Sequence, residues 1–278
     1  MVRIVTDTAS DITYAQAMAM RVTLVSLDIN FEDGPQPQRD EEDFAEFYRR
    51  LATCEHLPQT SRPSPQAYMD VYLEAECCDE DVVVLCVSGG LSGTYESAVA
   101  AKNMCGYQRV HVIDTHQAVL TQRMLVEEAV RLRNKGCTAR DIVQHILSLR
   151  DKVRVCGVVG TLKFLRKGGR IPASLAVLGE MLHVKPVIIL KDAMLSAMGK
   201  VRGYVQGMSM LHKQMEQDGF DASRPVYFGY TSDPALGKQL CQATVEKYGL
   251  QETRMHPIGG IIGTHCGTDC MAVAYFMK

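Results

Sequence analysis

The stretch Val82-Val-Val-Leu-Cys-Val-Ser-Gly-Gly-Leu-Ser-Gly-Thr94 joins an apolar run to a glycine-rich turn. Apolar runs of this length, rich in β-branched residues and bounded by turn residues, are typical of a strand buried on both faces of a sheet. After the turn, the sequence predicts a helix over residues 94–103. A buried strand, a tight turn and a helix in this order are typical of an α/β protein with a parallel sheet.

Strand and helix signals also alternate on both sides of this stretch. Short β-branched runs predict further strands at residues 3–6, 22–29 and 110–113. Apolar spacing and capping residues predict helices at residues 41–51, 64–76, 118–133 and 138–149, the second with Ser64 as its N-cap. Residues 1–152 are therefore expected to form an N-terminal α/β/α domain whose parallel sheet is covered on both faces.

The second half of the chain, residues 153–278, has a different pattern of predicted strands and helices. Strands are predicted at residues 153–159, 187–190, 226–230, 253–258 and 271–276, and helices at 175–182, 205–216 and 234–248. This pattern predicts a C-terminal two-layer α/β domain with a mixed sheet. We expect the two domains to pack closely, with a ligand cleft between them.

Composition and charge argue against several classes of protein. The net charge is −2, with 30 basic and 32 acidic residues, so no basic field is available to grip nucleic acid. No stretch approaches the roughly 18 apolar residues of a membrane-spanning helix, and Asp7 comes too early for a signal sequence. Most of the ten cysteines are expected to be reduced core thiols, because they fall inside apolar segments such as the run from Val82 to Val87. We expect a cytoplasmic protein with at most transient membrane contact.

Two segments concentrate hydroxyl groups just before a predicted helix. Around Ser92 and Gly93, the free N–H groups of the helix start favour a carboxylate or phosphate, although an ordinary capped connection explains the same residues. In Thr60-Ser61-Arg62-Pro63-Ser64, the helix needs only Ser64 as its cap. Thr60 and Ser61 therefore remain to act on a ligand.

The segment His265-Cys266-Gly-Thr-Asp269-Cys270 has two interpretations. It could hold a metal, but no second Cys or His pair lies elsewhere at zinc-like spacing. A histidine in a glycine-bounded loop is better suited to face an anion. The basic segment 163–170 could bind phosphate or an acidic partner, and a solvated loop is its default interpretation.

Standard nucleotide and hydrolase motifs are absent from the sequence. There is no Walker A sequence, no Gly-x-Gly-x-x-Gly fingerprint and no Gly-x-Ser-x-Gly elbow. The chain therefore has no visible means of binding ATP or NAD by itself.

The sequence as a whole resembles the DegV family, the fatty-acid-binding subunits that work with bacterial fatty acid kinase. The resemblance rests on eight segments in register: Thr6-Asp-Thr-Ala-Ser-Asp11, Thr60-Ser-Arg-Pro-Ser64, Leu91-Ser-Gly-Thr-Tyr95, Val112-Ile-Asp114, Gly168-Gly-Arg-Ile171, Lys185-Pro186, Gly199-Lys-Val-Arg202 and His265. It implies two α/β domains that enclose one long-chain fatty acid, with the acyl chain in an apolar tunnel.

The resemblance also implies roles for individual residues. Thr60, Ser92 and His265 match positions that hydrogen-bond the carboxylate, and the adjoining Ser61 and Gly93 are expected to bind the carboxylate with them. Arg170 and Arg202 match basic positions near the portal, where they would face the phosphate or the docking kinase. The candidates for the tunnel lining are Leu175, Leu178, Met181 and Leu182.

The function implied by the resemblance is presentation rather than catalysis. The protein would hold the fatty acid while the ATP-binding subunit of the kinase phosphorylates its carboxylate, so ATP and magnesium belong to that partner and no cofactor is expected here. Two alternatives stay open. One is a hydrolase or acyltransferase that uses Ser92 and His265, with Asp7 or Asp269 orienting the histidine. The other is a regulatory protein that keeps the fold.

The sequence departs from the family pattern at several positions. Arg62 stands where the family usually has Gln, and Ser88-Gly89-Gly90 replaces the more usual Ser-Ser-Gly. Asp269 adds a negative charge near the expected anion site, unless it points away or pairs with an arginine. The basic run that often follows Arg202 is missing.

Overall fold

The computed structural model describes residues 1–170 and 184–278. In these ranges the strands are β1 (Val2–Asp7), β2 (Val22–Val25), β3 (Asp28–Phe31), β4 (Gly34–Pro35), β5 (Gln59–Ser61), β6 (Asp81–Cys86), β7 (Val110–Asp114), β8 (Val153–Val158), β9 (Val184–Lys191), β10 (Met194–Arg202), β11 (Val226–Tyr230), β12 (Thr253–Pro257) and β13 (Met271–Phe276). The helices are α1 (Tyr14–Met20), α2 (Glu41–Thr53), α3 (Pro65–Cys77), α4 (Thr94–Cys105), α5 (Val119–Asn134), α6 (Ala139–Leu149), α7 (Lys163–Lys167), α8 (Gly203–Gln217), α9 (Pro234–Tyr248) and α10 (Gly260–Cys266). The tunnel candidates Leu175, Leu178, Met181 and Leu182, and the helix predicted around them, lie outside the described residues.

The first sheet is fully parallel and has the strand order β2-β1-β6-β7. One face packs on α5 and α6, and the other packs on α3 and α4. Its central strand β6 is buried on both faces, as the apolar run from Val82 predicts. Helix α3 begins as predicted, with the Ser64 side chain accepting a hydrogen bond from the Ala67 amide and Pro65 in the first turn.

The second sheet is mixed and has the order β10-β9-β8-β13-β11-β12, in which only β11 and β12 are parallel neighbours. One face packs on α8 and α9. The opposite face packs on α5, which also contacts the first sheet. Helix α5 is buried nearly all round because it lies between two sheets. The predicted α/β class, with one parallel and one mixed sheet, is confirmed; the boundary between residues 152 and 153 stays a prediction.

The structure differs from the predicted strands at two places, residues 22–29 and residues 194–202. Residues 22–29, predicted as one strand, belong to β2 and β3, which lie in different sheets. Between the two strands the Leu27 amide donates a hydrogen bond to Thr8 Oγ1 at 3.0 Å instead of to a neighbouring strand. The second, β10, was not predicted at all. It forms a hairpin with β9 through Asp192 and Ala193, with φ of 53° and 64°, and this pair lacks the Asn-Gly signal of such turns.

A third, small sheet has the order β4-β3-β5 and carries Thr60 on β5. Among the helices that the structure describes, none is both long and apolar enough to cross a membrane.

Candidate functional site

An apolar cavity of about 130 Å³ lies between the two sheets. On the side of the parallel sheet it is lined by segments that follow the carboxyl ends of the strands, where α/β proteins commonly bind ligands. On the other side it is lined by β8, β9, β10, β13 and α10. The apolar lining includes Ala9, Leu27, Val87, Leu91, Val119, Leu165, Ile188, Leu190, Leu195, Ile258, Ile261 and Ile262. Among the described lining residues, only four have nitrogen or oxygen in the side chain: Thr60, Ser92, Arg170 and His265.

Thr60 and His265 meet at this cavity although 205 positions separate them in the sequence. Thr60 Oγ1 lies 3.3 Å from His265 Nε2, within hydrogen-bonding distance. Thr60 is held by the pairing of β5 with β3, in which it lies opposite Ile29. The structure thus brings together two of the predicted carboxylate-binding residues.

His265 lies in the last turn of helix α10 rather than in the expected glycine-bounded loop. The glycines of this segment serve close packing. A Cβ at Gly260 would lie 2.7 Å from Ile29 and Phe47 side-chain atoms, and one at Gly263 would lie 2.5 Å from Tyr48 Oη. Helix α10 can therefore approach α2 closely, and this packing determines where His265 lies.

The surroundings of His265 favour its neutral form. Burial, and secondarily the positive charge of Arg170, lowers the pKa of the imidazole from 6.5 to about 4. Its Nδ1 atom is buried and has no hydrogen-bond partner among the described residues. At neutral pH the ring thus has one N–H donor and one acceptor nitrogen.

Ser92 and Gly93 lie at the start of helix α4. Ser92 Oγ is 2.8 Å from Thr94 Oγ1. Gly93 is the N-cap of the helix, which receives no side-chain cap, so amides of its first turn remain available to an anion. Arg62 Nη1 donates a hydrogen bond to the Gly93 carbonyl at 3.1 Å and thereby ties β5 and α3 to this turn.

Arg170 is exposed and lies where the cavity meets a polar outer groove of about 850 Å³. Its Nε donates to the Leu91 carbonyl at 3.2 Å, and its Nη1 donates to the Gly168 carbonyl at 2.8 Å. Thr60 and His265 line both the cavity and the groove, and Lys167 lines the groove alone. The polar side chains therefore mark the boundary between an apolar interior and a polar exterior.

Neither Ser61 nor Arg202 lines the apolar cavity. Ser61 lines the outer groove and donates a hydrogen bond to Asp28 Oδ2 at 3.3 Å. Arg202 is exposed just before α8, where its amide donates to Gln206 Oε1 at 2.9 Å. Arg202 lines neither the cavity nor the groove.

The residues that follow His265 fall into two groups. Cys266 and Cys270 are buried and line the cavity, and the Cys270 thiol together with burial raises the pKa of Cys266 well above its ordinary value. Both thiols thus serve as apolar wall. Asp269 does not line the cavity; its Oδ2 accepts a hydrogen bond from Thr268 at 2.9 Å. Within the described ranges, no cluster of three or more His, Cys, Asp or Glu is arranged to hold a metal.

A Ser-His-carboxylate triad is not formed by the described residues. Ser92 bonds to Thr94, while His265 bonds to Thr60. The Asp7 carboxylate instead accepts from the amides of Ala9 and Val87, at 3.1 and 2.8 Å. Among residues 1–170 and 184–278, Ser92 is therefore not arranged with a histidine and a carboxylate for nucleophilic catalysis.

Sequence reasoning missed several residues of this site. Leu190 and Leu195 line the cavity from the β9–β10 hairpin, and Ser88 contacts the tip of that hairpin. No local signal for β10 was recognised. The glycine-rich turn pointed to Ser92 and Gly93, and the family pattern marks Ser88-Gly89-Gly90 as a departure, but neither signal gave Ser88 a contact with a distant hairpin.

The full chain, residues 1–278, matches the family model described as "Uncharacterised protein, DegV family". The chain belongs to the DegV family. A DegV domain-containing protein of Deinococcus radiodurans is 30% identical over 278 residues, which cover 98% of this chain and 97% of that protein.

Solved structures of DegV proteins share the fold over the whole chain. One, from Thermus thermophilus and described as fatty-acid-binding, has 31% identity and a TM-score of 0.90 and covers 100% of this chain and 99% of its own. Another is the B3 protein of Streptococcus pneumoniae Fatty Acid Kinase, loaded with linoleic acid; at 19% identity and a TM-score of 0.86, with 100% of both chains covered, it shows similarity of fold.

Proposed function

We propose that this DegV protein binds a long-chain fatty acid, with the acyl chain in the apolar cavity and the carboxylate at Thr60, Ser92 and His265. The observation that carries the proposal is the composition of the cavity, whose few described polar side chains are these three and Arg170. Fatty acid binding by the Thermus thermophilus relative supports the same ligand class.

The acyl chain would supply most of the affinity. Each buried methylene contributes about 0.8 kcal/mol, so about a dozen methylenes give on the order of 10 kcal/mol before the costs of association. The head group would supply orientation. Two hydroxyls, a neutral imidazole and helix-start amides can solvate a carboxylate without a fully buried ion pair.

We further propose that the bound carboxylate is presented to a separate ATP-dependent kinase, which would form an acyl phosphate. Support comes from the position of Thr60, Arg170 and His265, which line both the cavity and the open groove. Arg170, with Lys167 nearby in the groove, would offset the charge that is gained on phosphorylation. Arg202, which is exposed, would contribute to kinase docking. ATP and magnesium would come from the kinase, and the chain itself would need no cofactor.

Native mass spectrometry of the purified protein, followed by organic extraction, tests fatty acid binding. We expect a stoichiometric adduct with the mass of a long-chain fatty acid, and weaker retention in Thr60→Val and Ser92→Ala because each loses a carboxylate donor. An empty protein that also fails to take up oleate or palmitate would contradict the proposal.

A phosphorylation assay with a fatty acid kinase subunit tests presentation. We expect His265→Ala to lower the rate of acyl phosphate formation more than it lowers fatty acid retention, because its imidazole lies where the charge develops. Arg202→Ala should lower the rate without changing retention, since it lies away from the cavity. An unchanged rate in both variants would rule out the kinase role for these residues.

A further inference from the structure

The tip of the β9–β10 hairpin, in the second half of the chain, contacts the glycine-rich turn that leads to Ser92. Ser88 Oγ donates a hydrogen bond of 2.7 Å to the carbonyl of Ala193 at the hairpin tip. Ser88 is fully buried, so this bond is not exchanged for one with solvent.

The same serine organises the turn itself. Its hydroxyl accepts a hydrogen bond from the Gly90 amide at 3.3 Å while donating to the hairpin. Its carbonyl accepts from the amides of Leu91 and Ser92, at 3.0 and 3.1 Å. The Ser88 carbonyl thus holds the Ser92 amide, while the Ser88 hydroxyl holds the Gly90 amide and the hairpin tip around it.

Gly90 allows the hairpin to approach the turn this closely. A Cβ at this position would lie 2.3 Å from the Ala193 carbonyl oxygen and 2.6 Å from Met194 Sδ. Any side chain larger than hydrogen would push the hairpin tip away from the turn.

The hairpin also forms part of the cavity wall. Leu190 on β9 and Leu195 on β10 line the cavity and lie opposite each other in the strand pairing. One hairpin thus touches both the region proposed for the acyl chain and the turn proposed for the head group.

We propose that Ser88 is a positioning residue for head-group recognition: together with the β9–β10 hairpin it holds Ser92 where it meets a carboxylate, and it couples this position to the cavity wall. This inference rests on the proposed fatty acid binding. A carboxylate accepts charge-assisted hydrogen bonds, which are stronger than those of a neutral head group. A misplaced donor should therefore lower the affinity for a fatty acid more than the affinity for a neutral ligand of the same chain length.

The test compares the dissociation constants of palmitate and hexadecan-1-ol, measured within each protein variant. Wild-type protein should prefer palmitate. In Ser88→Ala the dissociation constant of hexadecan-1-ol divided by that of palmitate should fall roughly fivefold to tenfold, the effect of about one lost hydrogen bond. Ser88→Thr keeps the hydroxyl and should keep most of the preference. Ser97→Ala removes another buried serine hydroxyl, one from α4, and should leave the ratio unchanged.

Gly90→Ala provides an independent variant, because its Cβ displaces the hairpin without removing a hydroxyl. It should lower the ratio in the same direction as Ser88→Ala. Since both ligands are measured on one preparation, a misfolded fraction affects them equally and does not change the ratio.

The outcomes separate the two proposals. A wild-type protein that binds neither ligand overturns the proposed function and this inference with it. A wild-type protein that prefers palmitate, with an unchanged ratio in both Ser88→Ala and Gly90→Ala, overturns only the positioning role of Ser88.

Discussion

His265 combines burial with an unsatisfied ring nitrogen at the mouth of an apolar cavity. Its Nδ1 has no partner among the described residues, and burial with the nearby Arg170 lowers its pKa to about 4. A protonated ring would be repelled by Arg170 and would lose its hydration. The free protein therefore keeps this histidine as a neutral hydrogen-bonding group at neutral pH.

The depressed pKa of His265 predicts a specific pH dependence of stability. Between pH 6.5 and about 4 the unfolded chain binds a proton that the folded protein resists, so this residue's contribution is complete above pH 6.5 and is lost as the pH falls. His265→Gln, which cannot titrate, should lose less stability than wild type between pH 7 and pH 5. The expected difference is roughly 1 to 2 kcal/mol, measured by urea unfolding.

Asp11→Asn is a control for which the expected change of stability with pH has the opposite sign. Burial raises the pKa of Asp11 to about 7, so the folded protein holds a proton that the unfolded chain releases, and this contribution is lost as the pH rises from 3.8 towards 7. The variant should therefore gain stability relative to wild type between pH 5 and pH 7. Parallel pH curves for wild type and His265→Gln would contradict the assignment.

At the level of elements, helix α7 and the turn after it pack against α10. The contact depends on Gly168, where a Cβ would lie 2.2 Å from His265 Nδ1. The next residue, Gly169, has φ of +68° and nothing within 4 Å of its Cβ position. Adjacent glycines thus serve different purposes, one for close approach and one for backbone conformation.

Gly168→Ala should displace the imidazole of His265 while leaving the fold intact. We expect roughly a tenfold loss of fatty acid affinity, equal to about one hydrogen bond, together with a His265 pKa nearer its ordinary value. NMR titration of the imidazole and a fatty acid binding assay measure these two effects.

The matched variant for this test is Gly169→Ala. It should cost about 1 kcal/mol of stability through backbone strain, without changing the His265 titration. Equal titration curves of the His265 imidazole in wild type and Gly168→Ala would contradict the prediction, because they would show that the added methyl group displaces α7 and not the histidine.

At the level of the whole molecule, one continuous core joins both sheets. Helix α5 packs on each of them, and apolar residues from both halves of the chain belong to the same cluster. Polar contacts cross the same junction, since Glu127 on α5 accepts hydrogen bonds from Tyr227, at 2.6 Å, and from Arg254. The two halves therefore bury surface that neither could bury alone.

This shared core predicts a single cooperative unfolding transition for the full chain. Near-UV and far-UV circular dichroism should report the same midpoint, because α5 cannot leave one sheet without exposing the other. The fragment 1–152, expressed alone, should expose the face of α5 that packs on the mixed sheet in the full chain, and it should therefore bind a hydrophobic dye. Two separate transitions, or a fragment that unfolds cooperatively without binding the dye, would contradict the prediction.

The sequence by itself determined the elements whose signals are local. The strand at Val82 and the start of α3 at Ser64 follow from apolar runs and capping residues, which act over a few neighbouring positions. The family resemblance pointed to Thr60 and Ser92 within short motifs, and to His265 as a single matching residue.

Only the tertiary structure decided how these residues meet. The contact between Thr60 and His265 spans 205 positions and depends on the packing of α10 against α2 through Gly260 and Gly263. The division of residues 22–29 between two sheets and the hairpin of β9 and β10 are likewise products of long-range pairing. Alternation along a strand records which face is buried, but it does not record which strand lies beside it.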